Sequence, residues 1–241
     1  MPETPRAAPG TAISPGLVKM ALAVEKHALP WAYVLFALWR VDPLIDHYDA
    51  WRAADATLAP LVKDVLLILL MLFTAVALFF SRTPVSVPDR LNQVLIPIAM
   101  SYYFFLYGFV DQLPAPVRAN LIPAGMQATA AIAGLAVSIA GYAVAIWALC
   151  HLGRSFAILV AVRKVVTTGP YARVRHPIYL GYVMDLCGLL LASGSIAMLV
   201  LGAGFLVLLR LRAKLEEEKL ADADAGYREH VAKTGFLFPK F

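Results

Sequence analysis

The sequence predicts an all-α protein that crosses a membrane several times. About five to six transmembrane helices are expected, the last two folded as a helical hairpin, with a cytoplasmic C-terminal helix beyond them. Three observations lead there. Hydrophobic residues make up 61% of the chain and charged residues only 15%, with a mean hydropathy of +0.72, whereas a soluble domain is nearer half apolar and a quarter charged. Several segments approach the roughly 20 apolar residues that a bilayer crossing requires. Residues 178–209 then run without a Lys or Arg. As one helix they would be about 48 Å long, against a hydrocarbon core of about 30 Å. Ser193-Gly194-Ser195 near the middle is turn-forming, so two short helices are expected.

In chain order, residues 1–16 hold four prolines and two glycines and read as a flexible tail without the basic-then-apolar layout of a signal peptide. Residues 17–28 have the alternating faces of an interfacial helix, with Leu17, Met20, Ala21 and Val24 opposite Lys19, Glu25 and Lys26. A first span is expected over residues 29–39, followed by a loop over 40–60 that carries Asp42, Asp46, Asp49 and Asp55. Further spans are expected over 61–80, 94–110 and 126–149. Tyr102, Tyr103 and Tyr107 of the third suit an interfacial belt or a pocket wall. Gly134, Ser138 and Gly141 of the fourth have the spacing that lets helices pack closely. From Arg210 the pattern becomes a charged helix leaving the membrane, with stops at Gly226 and Pro239. The organisation expected is a tail and interfacial helix over 1–28, variable spans over 29–125, and a functional core over 126–241.

The net charge of +5 and pI near 9.2 are explained by topology rather than by nucleic acid. With the N-terminus inside and six crossings, 17 of the 21 Lys and Arg fall on the inner side, as the positive-inside rule requires. Both termini are then cytoplasmic, and a multi-pass bacterial inner-membrane protein is expected. Cys150 and Cys187 lie in or beside apolar segments, which argues against a disulfide or zinc site. Cys150 and His151 are adjacent and point to different helix faces, a poor metal pair, and no metal is expected.

The chemistry concentrates in one polar stretch between two apolar blocks, Thr167-Thr168-Gly169-Pro170-Tyr171-Ala172-Arg173-Val174-Arg175-His176-Pro177-Ile178-Tyr179-Leu180-Gly181. Gly169-Pro170 is turn chemistry, and Pro177 suits the first turn of a helix. Such a start offers free N–H groups and a positive dipole end. Tyr179 adds a hydroxyl, and Gly181 a place where a ligand could approach the backbone. An ordinary positive-inside loop with a proline-started helix would give the same local pattern. Two more polar groups fall on the same side, Leu152-Gly153-Arg154-Ser155-Phe156 and Glu216-Glu217-Glu218. Together they suit a zwitterionic, purine-bearing ligand: Arg for a carboxylate, Glu for an ammonium or ribose hydroxyls, aromatics for the base.

The order Leu-Gly-Arg-Ser-Phe, the stretch above, Glu-Glu-Lys-Leu, Gly-Tyr-Arg-Glu-His and Phe-Pro, over residues 147–239, resembles the isoprenylcysteine carboxyl methyltransferase family, whose relatives include membrane phospholipid methyltransferases. The resemblance implies an S-adenosylmethionine-dependent methyltransferase with its site at the cytoplasmic membrane face, acting on a lipophilic or amphiphilic acceptor. It implies Gly169, Tyr171, Arg175, His176, Pro177, Tyr179, Leu180 and Gly181, with Glu217 and Glu218, as the cofactor set, and His176 and Glu218 as catalytic. Three consecutive glutamates stand where the family has two, so two registers are open. Arg154 and Asp185 are expected to bind substrate. Asp185 is an ionisable residue inside a membrane helix, with a buried partner such as a tyrosine of the third span as the alternative; a snorkelling role is the alternative for Arg154.

Two other function classes compete. Membrane sterol reductases share part of the C-terminal pattern and use a nicotinamide cofactor, but they are much longer. A non-enzymatic transporter or scaffold would spread polar residues through the span centres. Gly202-Ala203-Gly204 has the look of a dinucleotide motif, but it lies in an apolar helix with no preceding strand, where helix packing explains it.

Overall fold

Ser14 opens the first helix by accepting the Leu17 N–H on its hydroxyl, with Pro15 at the first helical position, where a missing N–H costs nothing. The computed structural model describes residues 12–54, 58–103, 106, 110 and 113–240. Among them every longer regular element is an α-helix: α1 Pro15–His27, α2 Leu29–Trp39, α3 Val41–Arg52, α4 Ala59–Phe79, α5 Asn92–Tyr103, α6 Ala115–Arg118, α7 Ala124–Leu152, α8 Pro177–Ser193, α9 Ile196–Ala223 and α10 Tyr227–Lys233. Four segments are long and apolar enough to cross a membrane, Pro15–Arg52, Ala59–Phe79, Ala124–Ser155 and Ile196–Ala223, and α8 is a shorter apolar helix. This is an integral membrane protein. Of the expected third span, α5 covers the first part and Tyr107 lies outside the described residues.

The stretch expected as a loop over 40–60 contains a helix instead, α3. Asp42, Asp46 and Asp49 stand four and three apart, so they line one face, with exposed Tyr48 and Trp51 turned away from it. Acidic residues that read as a loop are the polar side of an amphipathic helix. Asp42 in its first turn and Arg52 in its last also complement the helix dipole.

The hairpin forms at Gly194. Its φ of 56° is a left-handed conformation that glycine adopts at little cost, and Ser195 caps α9 by accepting the Met198 N–H at 3.3 Å. The Gly194 carbonyl also accepts the Leu121 N–H at 2.8 Å, which ties the turn to the segment before α7.

Helices α7 and α8 meet backbone to backbone. A Cβ built on Gly141 would lie 2.6 Å from the Gly181 carbonyl, and one on Gly181 equally close to the Gly141 carbonyl. Gly134 and Gly188 face each other in the same way, with Ser138 between the two glycine pairs. Without a hydrophobic drive between helices in lipid, such close packing supplies the association. It also brings the end of α7 beside the start of α8, where the polar side chains gather.

Candidate ligand-binding site

The approach to α8 is a 3₁₀ turn over Gly169–Ala172. Gly169 has φ 60° and lies under the His151 ring, so any side chain there would collide with the imidazole. The C-terminal tail then straps the start of α8 in place. Arg175 N–H donates to the Gly235 carbonyl at 2.9 Å, His176 N–H to Phe236 at 3.2 Å, and Gly235 N–H to Arg173 at 3.1 Å. Phe236 packs its ring edge-on to His176, centroids 5.0 Å apart.

On this frame the helix start and the charged part of α9 meet in one network. Arg175 Nε donates to Glu217 Oε1 at 2.6 Å, and its Nη1 donates to the Thr234 carbonyl at 2.6 Å. His176 Nε2 is 3.1 Å from the same Glu217 oxygen. Tyr179 donates its hydroxyl to Glu216 Oε1 at 2.7 Å, and Arg212 Nε donates to that oxygen at 2.8 Å. The His176 and Tyr179 rings stack at 5.0 Å with only 3° between their planes, as residues three apart on a helix allow. Lys219, buried, reaches Asp89 at 3.2 Å. Burial opposes ionisation of Asp89, but the Lys219 ammonium outweighs it and holds the carboxyl below its ordinary range. In α10, burial and then the Arg175 charge hold the His230 imidazole below its usual value.

The network opens onto a cavity of about 580 Å³, inside the range of small-molecule sites. At the network end it is lined by Tyr171, Arg175, His176, Tyr179, Tyr182, Arg212, Glu216, Lys219, Tyr227 and His230. Its middle is apolar, with Leu70, Met71, Met100, Leu135, Leu186, Leu189 and Phe205. The far end is polar again. There Arg40 Nη2 donates to Asp64 Oδ1 and His47 Nδ1 meets Asp64 Oδ2, both at 2.5 Å, with Lys63 alongside. Asp185 lines the cavity, accepts the Tyr142 hydroxyl at 3.0 Å, and keeps its other oxygen buried without a partner.

The residues singled out from sequence therefore divide. Tyr171, Arg175, His176, Tyr179 and Asp185 line the cavity, and Glu217 sits beside it holding Arg175 and His176. Glu218 turns away toward Arg90 at 3.8 Å and Lys214 at 3.9 Å, because consecutive helix residues point about 100° apart; Glu216 takes the cavity side. Gly181 meets α7 and Gly169 meets His151, so both glycines serve packing. Pro177 is the buried first residue of α8, and Leu180 is outside the lining. Arg154 donates to the Phe80 carbonyl at 2.8 Å and lines a separate basic cavity. The partner of Asp185 is Tyr142 of α7, the fourth expected span, rather than a tyrosine of the third, because the glycine seam lays α7 directly against α8. Glu216 belongs to the second of the two registers that the sequence left open; Arg212, four residues before it on the same helix, was missed although that spacing was a usable signal, as were Arg40, His47 and Asp64, which only the fold brings together.

Residues 134–222 match the model of the isoprenylcysteine carboxyl methyltransferase (ICMT) family. The match runs from the glycine seam of α7 to the last turn of α9 and takes in the network except Asp89 and the C-terminal tail. This region is ICMT-like. The family is one of membrane methyltransferases. No curated protein matches the chain.

Proposed function

We propose that the ICMT-like region uses S-adenosylmethionine to methylate a lipophilic or amphiphilic acceptor at the cytoplasmic membrane face. The observation that carries this reading is the paired network, in which Glu216 and Glu217 are held by Arg212, Tyr179, Arg175 and His176 at one end of a cavity whose middle is apolar. The residues fit such a cofactor. Glu216 offers carboxylate oxygens to an ammonium or to ribose hydroxyls, Arg212 and Lys219 can face a carboxylate, and Tyr171, Tyr182 and Tyr227 offer faces to a base. The cavity has room for a ligand of this size with an acceptor beside it.

When bound, S-adenosylmethionine supplies an electrophilic methyl group on a sulfonium. What the chain contributes is placement and dryness. Tyr179 and Arg212 fix the Glu216 carboxylate in one rotamer, and Arg175 and His176 fix Glu217, so the polar end is organised before a ligand arrives. The leucines, methionines and Phe205 of the middle exclude water from the reacting face and suit an acceptor with an apolar body. A carboxylate acceptor needs no base there, whereas an amine or thiol loses a proton, for which Glu216 is placed. The 17-to-4 distribution of positive charge supports both termini, and hence this mouth, on the cytoplasmic side.

Calorimetry on the purified protein in detergent tests the reading. S-adenosylmethionine should bind and NADPH should not. His176→Ala, Tyr179→Phe and Glu216→Gln should each weaken binding roughly ten- to a hundredfold, since a hydrogen bond to a charged group contributes about 1.5–3 kcal/mol. NADPH binding in place of S-adenosylmethionine would favour a nicotinamide-dependent reductase, and binding of neither would favour a scaffold.

A further inference from the structure

A second cavity, of about 440 Å³, lies beside the first. Residues Ser81, Arg82, Thr83 and Val85 enter it where the chain leaves α4, Arg154 where it leaves α7, Lys26 from the last turn of α1, and Arg163 and Lys164 from the segment between α7 and α8. It therefore sits where two membrane-spanning helices reach the surface. We propose that this cavity binds the phosphate headgroup of an anionic membrane lipid.

Charge is the first argument. Five cations line the cavity, and among the described residues Glu25 is the one carboxylate paired with any of them, through Arg163 at 2.8 Å. Glu25 is fully engaged: its other oxygen accepts the Ile158 and Leu159 N–H groups at 2.6 and 2.9 Å. A positive-inside bias alone would leave solvated, separate cations. Here they share a concavity, and one of them is buried. The Arg163 side chain is 3% exposed, donates through Nε to the Arg82 carbonyl at 2.8 Å, and keeps Nη1 buried with no partner. A preformed guanidinium with an unused donor, flanked by lysines and two hydroxyls, is a phosphate-binding arrangement.

The surroundings choose a lipid over a free phosphate. Phe80, whose carbonyl accepts from Arg154 at 2.8 Å, is 64% exposed, and Val85 and Trp31 are 75% and 58% exposed. Trp31 packs edge-on to Phe79, 5.4 Å between centroids, at the same end of α4. Aromatic side chains at that level mark the membrane interface, so the cations open onto a surface that suits acyl chains. A ligand with an anionic phosphate above two hydrocarbon tails satisfies both parts.

The test compares lipid retention by the full-length protein, using native mass spectrometry and thermal melting in detergent with added phosphatidylglycerol or phosphatidylcholine. The variants are Lys26→Gln/Arg82→Gln and, independently, Thr83→Glu. None of these side chains belongs to the proposed methyl-transfer site, so S-adenosylmethionine affinity should be unchanged and serves as the folding control. The wild type should prefer phosphatidylglycerol by about tenfold or more. Removing two surface cations should weaken that lipid roughly ten- to thirtyfold, and Thr83→Glu should move it in the same direction. An unchanged preference in both variants would overturn the site. Equal competition by sn-glycerol 3-phosphate, which lacks the chains, would overturn the lipid.

Discussion

The two ends of the main cavity are built in opposite ways. At the end formed by α8, α9 and the tail, the cavity-facing residues sit close together in sequence: Tyr171, Arg175, His176 and Tyr179 on one side, Arg212, Glu216 and Lys219 on the other. The second group is spaced for one face of α9 and the first is gathered by the turn that leads into α8, and the region falls within the family match apart from α10 and the tail. At the other end, Arg40 comes from the junction of α2 and α3, His47 from α3 and Asp64 from α4, outside the matched residues. The first end is a fixed chemical device, and the second is assembled by packing. Under the proposed function the first end would hold the cofactor and the second would meet the acceptor.

The largest effect is expected at the seam that holds both ends together. Gly181→Leu would drive a side chain into the α7 backbone, where 2.6 Å is already too close for a Cβ. Destabilisation at or above the upper end of about 1–3 kcal/mol for overpacking should show as loss of monodisperse protein in detergent. A well-folded variant would mean that α7 and α8 do not form the frame. Next in size is the contrast between the two ends. Glu217→Gln should cost roughly ten- to a hundredfold in S-adenosylmethionine affinity, whereas Asp64→Asn should leave that affinity within about twofold and act on the acceptor KM; equal losses in calorimetry would erase the distinction. Asp185→Asn should raise the acceptor KM by a few-fold, through the loss of a charged partner for Tyr142, with cofactor affinity unmoved. The smallest effect belongs to Glu218→Gln. Its carboxylate is half exposed, 45%, and exposed pairs contribute about 1 kcal/mol or less, so binding should stay within about twofold. A loss as large as that of Glu217→Gln would shift the glutamate register by one residue.

Much of this arrangement was legible before any coordinates. The hairpin followed from a length mismatch and a Ser-Gly-Ser turn, and the α7 seam from glycine and serine spacing, because both are local rules of backbone and packing. The glutamate register was not legible. Three identical residues carry no mark of which one faces inward; only the rotation of α9 against α8 decides that. Gly181 was ambiguous for a related reason, since a glycine that admits a ligand and one that admits a helix look alike in sequence. α3 hid because its aspartates were weighed as loop formers rather than placed on a helical wheel. The Arg40–Asp64–His47 cluster had no local signal, its members being 17 and 24 residues from Asp64.

The shortness of α8 has a consequence for the bilayer itself. Seventeen residues span about 26 Å, several ångströms less than an average hydrocarbon core, while its partner α7 has 29 residues and reaches well past it. Because the first half of α8 is packed inside the bundle, its start can sit below the level of the neighbouring headgroups without the bilayer thinning around it. That position brings His176 and Tyr179 to the depth where the upper carbons of an amphiphile lie, so such a molecule would be met without being lifted out of the membrane. If the proposed methyl transfer operates there, lengthening the surrounding lipid should slow it while leaving the protein's affinity for water-soluble ligands alone.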